Sequence, residues 1–186
     1  MEYLLYVLLG IGLAAACGFR VFVPLLVMSI AALAGHLELA PDFVWLGSWP
    51  ALIVFGVATV LEVVAYYIPW LDHLLDVAAT PAAIVAGIIV TASVVTGMSP
   101  ILRWTLATIA GGGVAAAVQL ATVALRRAST YATAGLAHPL AATLETGGSA
   151  GMSVLSLLLP TVAGLLAILL ILIAARWLLR RRARHA

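Results

Sequence analysis

Lysine is absent, and charge of either sign is scarce: of 186 residues nine are arginine and seven are Asp or Glu, so charged side chains make up only 9%. Soluble domains carry about 25%. Hydrophobic residues at 65% are more than so few charges can cover with a wettable surface, which excludes a water-solvated globule. The bilayer is the expected main solvent, and residues 1–186 are expected to form one transmembrane domain. With a single cysteine, Cys17, no intrachain disulfide can form. No basic region precedes the first apolar run and no polar mature sequence follows it, which speaks against a cleaved signal peptide. A Ser/His/Asp group, an HExxH motif and a P-loop lysine are missing as well, so hydrolytic and phosphate-cradle chemistry find no support.

What is present is a series of apolar runs, and crossing a hydrocarbon core of about 30 Å takes about 20 such residues. Five segments qualify: Tyr3 to Gly35, interrupted only by Arg20; Pro50 to Ile68, only by Glu62; Val77 to Leu102; Trp104 to Leu125, with Gln119 inside; and Ser149 to Ala175. A sixth, Ala128 to Thr146, is marginal because His138-Pro139 and Glu145 interrupt it. Arginine placement argues for counting it. Short cytoplasmic loops collect arginine, and Arg126-Arg127 and the tail from residue 177 to 186 form two clusters that should share one face. The expected fold is therefore all-α with about six transmembrane helices and both termini cytoplasmic. Outside would lie the acidic, Trp-bearing stretch around Asp42 and the short loop before Arg103.

The first segment is too long for one straight crossing, and Gly18 and Pro24 flank Arg20, so a helix break is expected there. The amides that open the second half would then attract negative charge beside the guanidinium. "ATVLEV" around Glu62 resembles "AATLET" around Glu145, and the stretches after Pro81 and Pro160 are alike, a pattern compatible with a three-plus-three inverted repeat.

Ionisable groups at bilayer depth face a partner or a wet cavity, because burying them alone costs about 2.5–3.5 kcal/mol or more. Glu62 is a candidate ion or proton ligand, or else a buried partner of Arg20 that fixes packing. Arg20 suits an anion or carboxylate site, or serves as counter-ion to Glu62 or Glu145. Asp72 and Asp76 share a helix face at i, i+4 while His73 points elsewhere; the pair suggests a cation-attracting mouth with weak metal-ligand character, or an acidic interfacial helix facing water. Thr80 and Pro81 would then cap and open the next span. His138 and Glu145, two turns apart, suggest a proton relay or a packing bond, and Gln119 offers a nearby oxygen.

The stretches "GFRVFVP" and "WLGSWPAL", with "EVVAYYIPWLDHLLDVAATP" from Glu62 to Pro81, resemble those of a bacterial multi-pass membrane family designated domain of unknown function 4126. That resemblance implies a compact protein of the bacterial cytoplasmic membrane and no particular activity. Because carboxylates outnumber arginines within the membrane and at its edge, the expected function is transport or conduction of a small ion, a cation or a proton-coupled solute, by a self-associating protein. No cofactor is expected beyond a bound cation. A structural or accessory subunit is the alternative, followed by a Mg-dependent lipid-diphosphate enzyme built on Asp72 and Asp76. A basic tail this short and poor in aromatics gives no case for nucleic-acid binding.

Overall fold

Where no water is at hand for backbone N–H and C=O groups, helix is the way to satisfy them within one segment, and the apolar runs fold accordingly. The computed structural model describes the backbone of residues 2–66, 68–133 and 138–182; within these, the side chains of 2, 69–76, 127, 129–133, 138–139 and 177–182 lie outside the description. No strand occurs among the described residues. The elements are α1 (Glu2–Phe19), α2 (Phe22–Leu33), a 3-10 helix (Pro41–Gly47), α3 (Trp49–Ala65) and α4 (Pro69–Val94). Then follow α5 (Pro100–Leu106), a π-helical turn (Ala107–Gly112), α6 (Gly113–Thr133), α7 (His138–Leu158) and α8 (Pro160–Arg182). Proline stands in the first turn of α3, α4, α5 and α8, where its missing N–H costs nothing. Gly35 and Gly97, at φ of 74° and 73°, follow α2 and α4 in the left-handed geometry glycine adopts without strain.

By length and composition, 77–94 and 100–126 can each cross a bilayer, and the 3-10 helix with α3, bent by 64°, makes a third candidate. Tyr3–Phe19, Phe22–Leu33 and Pro160–Arg176 are shorter apolar helices.

At the centre runs α1. Leu13 through Cys17 are wholly buried, and their mostly small side chains let neighbouring backbones come close. Thr91 Oγ1 of α4 donates to the Gly10 carbonyl at 3.1 Å, and Ser149 Oγ of α7 donates to the Ala16 carbonyl at 2.9 Å. Gly18 lies against Val118 of α6, and Gly164 of α8 against Leu8. Backbones also approach closely between α4 and the π turn: a Cβ on Gly111 would run into the Gly87 carbonyl oxygen, so only glycine fits.

These contacts also fix direction. Tyr3 lies against Gly97, and the Ala40 N–H donates to the Ser93 carbonyl at 2.7 Å. The start of α1 and the chain just after α2 thus both meet the C-terminal end of α4. The break at Arg20 and Val21 falls at the opposite end, beside the last turns of α3 and the first turns of α7. The first apolar segment therefore breaks where expected, but runs out as α1 and back as α2 instead of making one kinked crossing. Antiparallel pairing with α3 holds α2 in that direction: Val21 bonds Glu62 and Ala32 lies against Gly47. α8 runs alongside α1, from Ala163 beside Gly12 to Ile173 and Ala174 near Phe19. The described start of α1 and the described end of α8 lie at opposite ends of the bundle.

Three boundaries also differ from expectation. Pro81 does not open a helix after a Thr80 cap; it sits inside α4, which runs on through it. Ala128 to Thr146 is not a helix of its own: α6 continues through Arg126 to Thr133, and α7 runs from His138 across Gly147, Gly148 and Gly151 to Leu158. The run Ser149 to Ala175 is divided at Leu159, before Pro160. In α4 and α7 helix continues through a proline or glycines that locally disfavour it, whereas at Pro160 the helix is interrupted and restarts with the proline in its first turn. The repeat finds no counterpart in helix positions. Glu62 lies four residues from the end of α3 whereas Glu145 is in the second turn of α7, and Pro81 is internal while Pro160 opens α8.

Candidate functional site at the helix break

Breaking the first segment frees the amides that open α2, and no water is needed to bond them. From the last turn of α3, the Glu62 carboxylate accepts the Val21 N–H at 2.8 Å with one oxygen and the Phe22 N–H at 3.1 Å with the other. Two of the orphan donors of a helix start are satisfied this way, with a negative charge set at the positive end of the helix dipole. Pro24, two residues further, has no N–H to satisfy.

On the other side of the break, Arg20 is 1% exposed. Its Nε donates to Thr146 Oγ1 at 3.1 Å, one terminal nitrogen donates to the Ala142 carbonyl at 3.0 Å, and that same nitrogen lies 3.5 Å from the Glu145 carboxylate. Arg126 of α6 grips Glu145 from a second side with Nε, at 3.2 Å, and with a terminal nitrogen. Both guanidiniums lie over the Tyr66 ring, at 3.8 Å for Arg20 and 4.5 Å for Arg126, where the ring's electron-rich face supplies further compensation. Four segments remote in sequence thereby meet: the α1–α2 break, the end of α3, α6 and α7.

The carboxylates here are committed to donors, Glu62 to amides and Glu145 to two guanidiniums. Arg20 and Arg126 balance Glu62 and Glu145 in formal charge, and the two arginines converge on one shared carboxylate beside the helix start that Glu62 caps. A cavity of about 320 Å³ reaches the cluster, with Arg126 and Glu145 in its wall together with Phe19, Thr122, Leu125, Ala141 and Leu144.

Of the residues singled out in the sequence, Arg20, Glu62 and Glu145 come together. Gln119 is buried on α6, two turns before Arg126. Asp72, His73 and Asp76 lie on the first two turns of α4 and His138 opens α7, but their side chains lie outside the described residues. Among the described residues no group of three His, Cys, Asp or Glu side chains is placed to hold a metal. Arg126 and Tyr66 are members that sequence reasoning missed, the first because its arginine doublet reads as a cytoplasmic loop. The available signal was spacing: Ala115, Gln119, Thr122 and Arg126 recur at helical intervals on one buried stripe.

A second ion pair lies at the other end of the bundle. Arg103 of α5 is buried and bonds Asp42 of the 3-10 helix, whose carboxylate is 68% exposed. Arg103 also lies 5.8 Å from the Phe43 ring, which packs against Trp104. The two loops expected to share a face do meet, through this pair.

No curated protein and no solved structure matches the chain. The profile described as Domain of unknown function (DUF4126) covers residues 7–181, and the chain belongs to that family.

Proposed function

We propose that this chain carries or conducts a small ion or solute across the membrane, and that the group recognised at the helix break is anionic. The observation that carries the proposal is the pairing of Arg20 and Arg126 on the single carboxylate of Glu145, with Arg126 and Glu145 lining a cavity. Broken helices whose ends face a charged group are the usual way for a bundle to hold a polar solute at membrane depth. Arginine distribution supports a cytoplasmic location for this end, since Arg20 and Arg126 meet there and Arg127 follows Arg126 in the sequence. The cation version of transport would instead use Asp72 and Asp76 on the first turns of α4.

The test is flux in liposomes with ion replacement. The expected result is a reversal potential that follows the anion gradient and a current that disappears in Arg126→Gln. A potential that follows the cation gradient and persists in that variant returns the site to the acidic turns of α4. A second reading draws on the same pairing, which also suits a purely architectural role in a structural or accessory subunit. Absence of flux from a protein that Glu145→Gln merely destabilises would establish it.

A further inference from the structure

At the end of the bundle that holds Arg103 and Asp42, exposed aromatic side chains gather from four elements: Tyr3 of α1, Trp45 of the 3-10 helix, Trp49 at the start of α3 and Trp104 of α5. Their contacts place them together. Tyr3 lies against Gly97 just past α4, Trp104 packs on Phe43, and Trp45 packs on Phe55 in the second turn of α3.

Asp42 fixes what surrounds that level. Its carboxylate is paired with Arg103 yet mostly exposed, and His36 and Glu38 before it are exposed as well, an arrangement that hydrocarbon does not tolerate. From Trp49 onward the outer face of α3 turns apolar, with Ile53, Val54, Val57 and Val60 all exposed and no charge before Glu62, an arrangement that water does not favour. The change occurs over a short height. Pro41–Gly47 is about 12 Å long at 2.0 Å per residue, and its 64° bend from α3 leaves only about 5 Å of that along the α3 axis. Val44, Trp45 and Trp49 therefore stand exposed within one thin layer beside an exposed carboxylate. An indole, with its apolar body and single N–H donor, suits the layer where headgroups meet acyl chains.

We propose that Tyr3, Trp45, Trp49 and Trp104 form an aromatic girdle seated at the headgroup boundary of a phospholipid bilayer, with the 3-10 helix lying along that boundary instead of lengthening the α3 span. The placement does not depend on what the protein carries. It also sets the depth of the helix break. Glu62 is thirteen residues beyond Trp49, about 20 Å along α3, and in a hydrocarbon core of about 30 Å that lies past the middle, toward the opposite boundary.

The test uses the full chain in phosphatidylcholine vesicles, with nitroxide labels on Val44→Cys at the girdle and on Val57→Cys, about 12 Å further along α3 than Trp49 at 1.5 Å per residue. Wild-type protein, whose Cys17 is buried, is the labelling control. Collisions with a water-soluble nickel chelate should be frequent at Val44 and lost at Val57, and collisions with oxygen should rise in the opposite order. A second measurement needs neither label: with Trp70→Phe and Trp177→Phe the girdle indoles remain as the emitters, and their quenching by brominated lipid should fall steadily as the bromine is moved from the headgroup side to the chain end. Equal depth at the two labels, or quenching strongest at the chain end, sinks the girdle into hydrocarbon and overturns the proposal. Free access of the chelate to Val44 with no quenching by any brominated lipid lifts it into water and overturns it too. Protection of Val44 from both collision reagents, again without lipid quenching, overturns it in favour of a second copy or another protein covering this face.

Discussion

Both ends of the bundle combine arginine, a carboxylate and an aromatic ring, to opposite effect. At one end Arg103 meets Asp42, whose carboxylate is 68% exposed, so water screens the pair and shares its solvation. At the other, Arg126 and Arg20 meet Glu145, whose side chain is 11% exposed and takes part in a network spanning four segments. What separates them is the solvent left to each partner. An exposed carboxylate can lose its arginine and be rehydrated, whereas a buried guanidinium that loses its carboxylate has nothing to replace it.

The largest effect should follow Glu145→Gln, which removes the negative charge that two buried arginines share. Loss of one partner of a buried pair costs about 3–5 kcal/mol, to be read as lost thermal stability in detergent. Glu62→Ala comes next: it uncaps α2 and leaves two amides unbonded, at a cost of about 1–2 kcal/mol, with faster amide exchange confined to Val21 and Phe22 as its signature. Tyr66→Leu keeps the packing volume nearly apolar but removes the ring face from both guanidiniums, for about 0.5–2 kcal/mol. Asp42→Asn should be smallest, below about 1 kcal/mol, and should fade further as salt screens the exposed pair. A loss from Asp42→Asn as large as that from Glu145→Gln would erase the distinction between the two ends.

The helical class, the apolar helices compatible with a membrane and the break at Arg20 were legible in the sequence because each rests on a local property: hydropathy, run length, and a charge flanked by Gly18 and Pro24. Arg20, Glu62 and Glu145 were legible as residues too costly to bury alone. Their grouping was not, since Glu62 is 41 residues from Val21 and Thr146 is 126 from Arg20, and no local pattern encodes a pairing at that separation. Proline was ambiguous for a different reason. Pro81 and Pro160 have the same missing donor, yet one continues a helix and the other begins one, and the packing around each makes the choice. Hydropathy did not reveal that the first segment folds back as α1 and α2, because the direction of α2 is held by its pairing with α3.

The fold-back of that segment has a practical consequence. The described start of α1 and the described end of α8 lie a bundle length apart, so labels placed at Tyr3 and at Arg176 should report a long distance between them. The arrangement also makes α1 and α2 a hairpin with an arginine at its tip whose partners, Ala142, Glu145 and Thr146, emerge more than a hundred residues later in synthesis. Until α7 arrives, that tip has no counter-ion from α7, and insertion of the last helices completes what the first hairpin leaves open.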